Sequence, residues 1–344
     1  MEKILSIGIP CYNSAAYMDH CMTSLLEGSG YAEDLEIIIV DDGSAKDETP
    51  AKADEWQERY PSIIKAVHQE NGGHGKAVMK AVEHATGVYF KNIDSDDWAD
   101  GAALSAMLDQ LRSFVEADDL ADLVITNFVY DHADEGTAHT TTYAHRLPVG
   151  RMFTWDEIKR FDKTQYLLMH ALTYRLEVLR AADLQMPAHT FYVDNIYSYV
   201  PFPLCKKLFY LDVDLYRYYI GREDQSVNEK VLTSRIDHYW RVARVMMHAY
   251  HIFEDVDSLM LADYMMGYFT IIMAICSVFS RFSDREDAME QLDALWAELK
   301  EYDPHMYRRA RRGFIGMATN LPGAFGKKVT VGMYRLAQKL VKFN

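Results

Sequence analysis

Three carboxylates stand within four residues, at Asp94, Asp96 and Asp97, and they directly follow the apolar run of residues 88–93. A strand that delivers carboxylates to its carboxyl end builds a site for a divalent cation and a phosphorylated ligand in an α/β sheet. The preceding strand matters, because the Asp-x-Asp spacing by itself recurs in this chain. The two repeats are Asp212-Val-Asp214 and Asp255-Val-Asp257.

Polar groups also follow three other apolar runs. The first run ends in Pro10-Cys-Tyr-Asn13, the second in Asp41-Asp42-Gly43-Ser44, and the third is followed by Asn71-Gly-Gly-His-Gly-Lys76. Each group alone can be explained as a turn, a helix cap or a flexible loop. Because the carboxyl ends of parallel strands face one crevice, four such groups in succession favour a nucleotide site.

Hydrophobic periodicity predicts the elements that position these groups. Near-continuous apolar runs predict five buried strands, and the segments between them have the length and polar caps of helices. This alternation predicts a doubly wound, mostly parallel, Rossmann-like α/β sheet. The predicted strands are residues 4–9, 35–40, 63–67, 88–93 and 123–129, and the predicted helices are 15–27, 47–59, 75–85 and 101–116.

The pattern changes after residue 130. Shorter, aromatic-rich segments extend to about residue 225, which suits a second substrate site, and the rest of the chain is helical in pattern. The apolar run Tyr264–Ser280 is short for a membrane span and follows Asp263, so it predicts a buried helix. We expect a catalytic domain at 1–226, with a nucleotide-binding half at 1–98 and an acceptor half at 99–226, followed by a helical region at 227–344.

The charge of this 344-residue chain is unevenly distributed. Nine basic residues and no acidic one follow Asp303. The last 41 residues therefore carry a charge of +9 and the rest of the chain carries −24, which together give the net charge of −15. An acidic body argues against nucleic acid as a partner, because phosphate backbones require a basic footprint. The predicted first strand leaves no room for a signal peptide, and the four scattered cysteines suggest neither disulfides nor zinc, so we expect a cytoplasmic protein.

Four stretches together resemble the family 2 glycosyltransferases. They are Ser6-Ile-Gly-Ile-Pro-Cys-Tyr-Asn13, Glu36-Ile-Ile-Ile-Val-Asp-Asp-Gly-Ser44, Glu70-Asn-Gly-Gly73 and Ala85-Thr-Gly-Val-Tyr-Phe-Lys-Asn-Ile-Asp-Ser-Asp-Asp-Trp98. The resemblance is dense over residues 4–98 and thinner over 160–226. It implies a GT-A fold, a nucleotide-diphosphate sugar donor and inversion of the anomeric centre.

The resemblance also implies roles for individual residues. Pro10 and Tyr12 would line the base pocket, with Tyr12 stacked on uracil, and Asp42 would accept a hydrogen bond from the base, a role that Asp41 shares. The other residues expected at the nucleotide are Asn13, Asn71, Gly73, Lys76, Asp94 and Ser95.

Two carboxylates fit the family's Asp-x-Asp motif. Asp94 would face the ribose and the metal, and Asp96 would coordinate a Mg²⁺ or Mn²⁺ ion that bridges the two phosphates. Oxygen ligands suit these ions, and the metal offsets the charge that develops on the departing diphosphate.

The chain departs from the family in the helix after Asn-Gly-Gly. Relatives carry an Arg-Asn pair there, and this chain has Val78-Met79. Lys76 or Lys80 could supply the basic group in its place.

Inverting transfer also requires a general base for the acceptor hydroxyl. In the family this is an aspartate in an acidic pair before an aromatic-rich helix, and Phe191-Tyr-Val-Asp194-Asn-Ile-Tyr197 occupies that place. Val193 replaces the first acid, so Asp194 is the candidate base, with a helix N-cap as the alternative role.

Three further residues have weaker assignments. The stretch from Tyr218 onward resembles a loop that closes over the diphosphate, where Arg222 and Gln225 would donate to phosphate oxygens. A surface turn is the alternative for that loop. His170 would line the acceptor pocket, or would simply be packed in an apolar segment.

Residues 305–344 interleave basic and apolar side chains. Met333, Leu336, Leu340 and Phe343 form one helical face beside Arg335, Lys339 and Lys342. This pattern is typical of a helix in the interface of an anionic membrane, and docking onto the acidic body of the same protein is the alternative.

These observations together predict a metal-assisted inverting glycosyltransferase. Its donor would be a nucleotide-diphosphate sugar, with uridine as the expected nucleoside, and its acceptor a glycan or lipid-linked glycan in surface polysaccharide synthesis at the inner membrane face. The alternatives are a catalytically degenerate sugar-nucleotide binding protein, which Val78-Met79 and Val193 leave open, and a nucleotidyltransferase on a related fold.

Overall fold

The computed structural model describes residues 3–132, 136–162, 165–221 and 229–321. The chain divides into two compact units, one made of Met1–Lys159 and Leu167–Gly221 and the other of Arg160–Tyr166 and Arg222–Asn344. The expected boundary at residue 226 falls outside the described residues.

The first unit is built on one mixed sheet. Its strands, as far as the described residues go, are β1 (Leu5–Cys11), β2 (Leu35–Asp41), β3 (Ile64–His68), β4 (Tyr89–Asn92), β5 (Trp98–Ala99), β6 (Leu123–His132), β7 (Thr137–Thr141), β8 (Met152–Phe153), β9 (Leu172–Arg175) and β10 (Leu208–Tyr219). The strand order is β3-β2-β1-β4-β9-β6-β10-β5, with β7 paired to β6 and β8 paired to β10.

The half of the sheet that begins the chain is parallel. β1 pairs in parallel with β2 and β4, and β2 pairs in parallel with β3. Every residue of β1 and β2 is buried, as expected for strands covered on both faces. The carboxyl ends of these four strands therefore lie at the same edge of the sheet.

The second half of the sheet mixes strand directions. β9 lies antiparallel between β4 and β6, whereas β10 runs parallel to β6. The predicted α/β fold class, with a mostly parallel central sheet and a helical carboxyl-terminal region, is confirmed. Helices of the first unit are α1 (Ala15–Ser29), α2 (Thr49–Arg59), α3 (His74–His84), α4 (Gly101–Glu116), α5 (Leu176–Ala181) and α6 (Asp194–Tyr199).

A buried carboxylate fixes the start of β4. Glu36 on β2 accepts hydrogen bonds from the hydroxyl of Ser6 at 2.6 Å and from the backbone N–H of Thr86 at 2.8 Å. The N–H of Gly87 donates to the Ser6 hydroxyl at 2.8 Å. Because buried polar groups are costly when unpaired, this network holds the chain before β4 against the centre of the sheet.

The described part of the second unit is helical. Its helices are α7 (Glu229–Ser234), α8 (Ile236–Ala249), α9 (Ile252–Asp255), α10 (Leu259–Phe282), α11 (Ala288–Tyr302), α12 (Pro304–Arg312) and α13 (Phe314–Thr319).

Helix α10 contains the apolar run noted in the sequence. Trp240 of α8 and Trp296 of α11 donate hydrogen bonds to Ser280 and Ser277 of α10, at 3.0 and 3.3 Å. Of the described helices, α10 alone is long and apolar enough to cross a membrane by length and composition, and 56% of its most apolar 18-residue window is buried within the chain. These contacts agree with the predicted buried helix.

Candidate functional site

Hydrogen bonds join the loop after β1 to the loop after β2. The side-chain oxygen of Asn13 accepts hydrogen bonds from the backbone N–H groups of Ala45 and Lys46, at 3.2 and 3.0 Å. The backbone N–H of Asn13 donates to the hydroxyl of Ser44 at 2.9 Å. Pro10 is buried at the end of β1, whereas Tyr12 is 52% exposed. The exposed face of Tyr12 is therefore accessible to a planar ligand.

The buried Asp42 joins the loop after β2 to the loop after β3. One carboxylate oxygen accepts from the N–H of Gly72 and from the Gln69 amide, at 2.8 and 2.6 Å, and the other accepts from the N–H of Gly73 at 2.8 Å. The amide of the exposed Asn71 donates to the Asp42 carbonyl at 3.0 Å. Asp42 thus holds the Asn-Gly-Gly loop, and its expected contact with a base stays a prediction.

Asp41 is buried beside it. One oxygen accepts from the N–H of Ser44 at 3.0 Å, and the other lies 3.1 Å from Nδ1 of His68. Burial alone would lower the pKa of His68, but its hydrogen bonds to Asp41 and Asp54 raise this pKa. Asp41 therefore stabilises the turn at the end of β2.

Two glycines at the start of α3 allow residues 186–193 to approach closely. Gly73 has φ +86°, and an added Cβ there would lie 2.9 Å from the backbone of His189. A Cβ at Gly75 would lie 2.9 Å from Cβ of Met186 and 3.1 Å from Cγ2 of Val193. These positions must be glycine for the segment before Asp194 to pack here.

His74, between the two glycines, connects α3 to the turn of residues 94–97 after β4, which we call the carboxylate turn. Its Nε2 lies 2.9 Å from Oδ1 of Asp94, which also accepts from the amide of Asn92 at 2.9 Å. Burial alone would lower the pKa of His74, but the charge and hydrogen bond of Asp94 raise it. Burial would likewise raise the pKa of Asp94, and the charge of His74 holds it below its ordinary value.

Asp97 anchors the same turn to β10. Its two carboxylate oxygens accept from the hydroxyl of Tyr216 at 2.5 Å and from the N–H of Tyr219 at 2.9 Å. The Tyr216 hydroxyl also accepts from the N–H of Asp94 at 3.2 Å. Burial raises the pKa of Asp97 well above its ordinary value, and the charges of Asp96 and Asp94 raise it further.

A buried lysine positions His170 beside this turn. Lys91 on β4 donates to the carbonyl of His170 at 2.7 Å, and burial lowers the pKa of the lysine to about 7. The His170 ring stacks on Tyr218 with centroids 4.7 Å apart. Burial lowers the pKa of His170 to about 4, and no described residue forms a hydrogen bond with its Nδ1. The imidazole is therefore neutral at pH 7.

The residues around the turn fit a divalent cation. Asp94, Asp97 and His170 each offer a ligand atom, and these atoms lie within 4.8 Å of one another. Carboxylate oxygens suit Mg²⁺ and Mn²⁺, and a neutral imidazole suits transition metals. Asp96 lies half-buried in the same turn. The expected ligand pair, Asp94 and Asp96, differs from this group of three residues, so metal coordination by that pair stays a prediction. Both oxygens of Asp97 already accept hydrogen bonds from β10.

Asp194 is the first residue of α6, and Val193 occupies the N-cap position without a capping side chain. The alternative role of Asp194 as an N-cap is therefore not observed. Its carboxyl is half-buried, and burial raises its pKa to about 6, with the charge of His74 acting in the opposite sense. A carboxylate with this pKa is deprotonated at pH 7 and still a competent base.

The remaining predicted residues are distributed as follows. Ser95 is buried in the turn, and Lys76 is exposed on α3. Val78 is buried, and Lys80 forms an ion pair with Glu83 at 2.8 Å. Arg222 and Gln225 lie outside the described residues.

Individual roles for His74, Lys91 and Asp97 are not evident from the sequence, although all three lie in the strand-end motifs. The partners of Lys91 and Asp97 are 79 or more residues away in the chain, so local patterns carry no sign of them. The flanking glycines were the one available signal for His74, because they indicate close packing at that position.

Comparisons with known proteins show a sequence family and a fold that this chain resembles. The profile described as "Glycosyl transferase family 2" matches residues 6–173. EpsH of Bacillus subtilis (strain 168), which carries a glycosyltransferase name, is 31% identical over 229 residues, or 62% of this chain and 63% of EpsH. The chain thus aligns with less than two thirds of this relative.

Two solved structures share the fold. S. aureus TarS 1-349 in complex with UDP-GlcNAc superposes with a TM-score of 0.65 over 98% of this chain and 91% of TarS, at 14% identity. The mannosyltransferase PcManGT from Pyrobaculum calidifontis, in complex with GDP-Man and Mn²⁺, gives a TM-score of 0.51 over 100% and 89% of the two chains, at 13% identity.

We predict that Gly75→Ala lowers the free energy of unfolding by about 1–3 kcal/mol, because the added methyl group overpacks against Met186 and Val193. Gly267→Ala is the matched control, since a Cβ at Gly267 meets nothing within 4 Å. Urea unfolding of both variants checks this. Equal stability of Gly75→Ala and the unchanged chain would show that residues 186–193 do not pack on α3 as described.

Proposed function

Because the family 2 profile matches residues 6–173, we propose that the chain is an inverting glycosyltransferase of this family. It moves a sugar from a nucleotide-diphosphate donor, with uridine as the nucleoside, to a hydroxyl of a glycan or lipid-linked glycan. The setting we propose is surface polysaccharide synthesis at the inner face of the cell membrane.

One observation carries this proposal. The four polar loops at the carboxyl ends of the strands are linked in series by hydrogen bonds, from Asn13 to Ser44, from Asp42 to Gly73, and from His74 to Asp94. A series of this kind places the four loops at one edge of the sheet, where nucleotides bind in open α/β sheets.

In the proposed complex the donor lies along this edge. Its base stacks on the exposed ring of Tyr12, and Asp41 and Asp42 fix the loops around it. The N–H groups of Gly72 and Gly73 are engaged with Asp42, so the phosphates would be held through a cation on the carboxylate turn. TarS was solved with UDP-GlcNAc, which supports uridine as the nucleoside.

Asp94 and Asp96 would hold a Mn²⁺ or Mg²⁺ ion, with Nδ1 of the neutral His170 available as a further ligand atom. When bound, this ion supplies charge that offsets the negative charge developing on the departing diphosphate. PcManGT, solved with Mn²⁺, supports manganese.

Asp194 removes the proton from the acceptor hydroxyl in this proposal. Its pKa of about 6 leaves it ionised at pH 7 and basic enough to accept a proton from a hydroxyl under attack. Because the segment before it packs on Gly73 and Gly75, the base is held by the same loop that follows β3. The charge of His74 lowers the pKa of Asp194 and also the pKa of Asp94, so one imidazole acts on both carboxyls.

The membrane is the second proposed partner. Phe314 and Met317 of α13 are 70% and 53% exposed, and the neighbouring α12 presents the exposed Arg308 and Arg312. Apolar side chains beside arginines suit insertion into an anionic interface. The remainder of the basic segment, from residue 322, lies outside the described residues.

We predict that Asp194→Asn lowers kcat on the order of 10²–10⁴-fold while donor binding is retained, because the amide cannot accept the proton. In the unchanged enzyme, kcat/KM falls as the pH drops below about 6, since protonation of Asp194 removes the base. Measuring transfer from UDP-sugars across pH checks both results, and Asp183→Asn, at an exposed aspartate earlier in the chain, is the control.

Full transfer activity in Asp194→Asn would assign the base to another residue. Tight nucleotide binding without transfer or donor hydrolysis by the unchanged chain, with any divalent metal, would instead support a sugar-nucleotide binding protein.

For the membrane, we expect the full chain to float with phosphatidylglycerol vesicles and not with phosphatidylcholine vesicles. The double change Phe314→Ser and Met317→Ser should reduce flotation, because it removes the inserting side chains. Met289→Ser is the control, since Met289 is 42% exposed on α11. Equal flotation of the double variant and the control would contradict this surface.

A further inference from the structure

A hydrogen bond joins the start of α3 to the carboxylate turn. His74 is the first residue of α3, and its Nε2 lies 2.9 Å from Oδ1 of Asp94. The side chains are 35% and 25% exposed, so this contact is partly shielded from water. Hydrogen bonds to an ionised carboxylate are stronger than neutral ones, and shielding from water strengthens them further.

The hydrogen bonds of Asp94 distinguish its two oxygens. Oδ1 accepts from both His74 and Asn92, each at 2.9 Å. No described residue donates a hydrogen bond to Oδ2. One oxygen is therefore held by the protein while the other keeps its full capacity to bind a ligand.

The position of His74 is itself fixed by its neighbours. Gly73 adopts φ +86°, which orients the first turn of α3, and residues 186–193 cover Gly73 and Gly75 on either side. The backbone on both sides of His74 is therefore packed, and the imidazole itself is held by its hydrogen bond to Asp94.

No other basic residue of α3 makes such a contact. Lys80 is paired with Glu83, Lys76 is exposed, and the position where relatives carry an arginine is the buried Val78. His74 is therefore the one basic side chain through which this helix acts on the carboxylate turn.

We propose that His74 is a positioning residue, whose Nε2–H holds Oδ1 of Asp94 so that Oδ2 is presented to the metal and donor. This inference rests on the proposed function only for the identity of the ligand that binds Oδ2 of Asp94. Hydrogen bonds of this kind orient a metal-binding carboxylate, and their loss weakens metal binding by ~10–100-fold.

The test compares three variants of the full chain. His74→Ala removes the donor, and His74→Gln keeps a side-chain N–H donor at this position. His84→Ala is the control at the other end of the same helix, where His84 contacts Lys65. Binding of UDP and of GDP is measured by calorimetry at a series of Mn²⁺ concentrations.

We expect His74→Ala to require ~10–100-fold more Mn²⁺ for the same nucleotide affinity. His74→Gln should retain most of the affinity, and His84→Ala all of it. A merely structural role would lower the stability of His74→Ala without changing its metal dependence. Unchanged metal dependence in His74→Ala, or an equal loss in His74→Gln, would overturn the proposal.

Crystal structures of the ligand-free variants provide an independent readout. In His74→Ala the Asp94 side chain should occupy more than one rotamer, and in His74→Gln it should keep one. A single unchanged Asp94 rotamer in His74→Ala would overturn the proposal. Should the unchanged chain bind neither nucleotide with Mn²⁺, the proposed function would fail, and the rotamer of Asp94 would still decide the role of His74.

Discussion

The hydrogen bond from Tyr216 to the buried Asp97 is the interaction on which the candidate site depends. It joins the turn after β4 to β10, across 119 residues of sequence. The same hydroxyl accepts from the N–H of Asp94, so one tyrosine fixes both ends of the turn. Because β10 also pairs with β6 and β5, the turn is bound to the half of the sheet that completes the first unit.

This anchoring leaves the neighbouring carboxylates with different burial, pKa and hydrogen-bond partners. Asp97 is buried, its pKa is raised, and both its oxygens are bound by β10. Asp94 is more exposed, is held below its ordinary pKa by His74, and has one oxygen without a donor among the described residues. A buried anchor therefore holds the turn, while its more exposed members can meet a ligand. Burying all three carboxylates would have required several more compensating donors.

Much of the first half of the fold could be predicted from sequence because its signals are local. The predicted strand at residues 35–40 corresponds to β2 at Leu35–Asp41, and the predicted helix at 101–116 corresponds to α4. Strand β9 was not predicted, because its four residues insert antiparallel between β4 and β6 through long-range pairing. The candidate site was likewise predictable only where its signals are local. Strand-end motifs identified the loops, but the packing of residues 186–193 on Gly73 and Gly75 depends on contacts over a hundred residues apart.

We expect the turn after β4 to bind a nucleotide diphosphate through a divalent cation. Calorimetric titration of UDP into the full chain, with Mn²⁺ and then with EDTA, tests this directly, using Asp96→Asn and Asp257→Asn as the informative and control variants. UDP binding should require Mn²⁺, should be lost in Asp96→Asn and should be unchanged in Asp257→Asn. UDP binding of equal affinity in EDTA, or in Asp96→Asn, would contradict it.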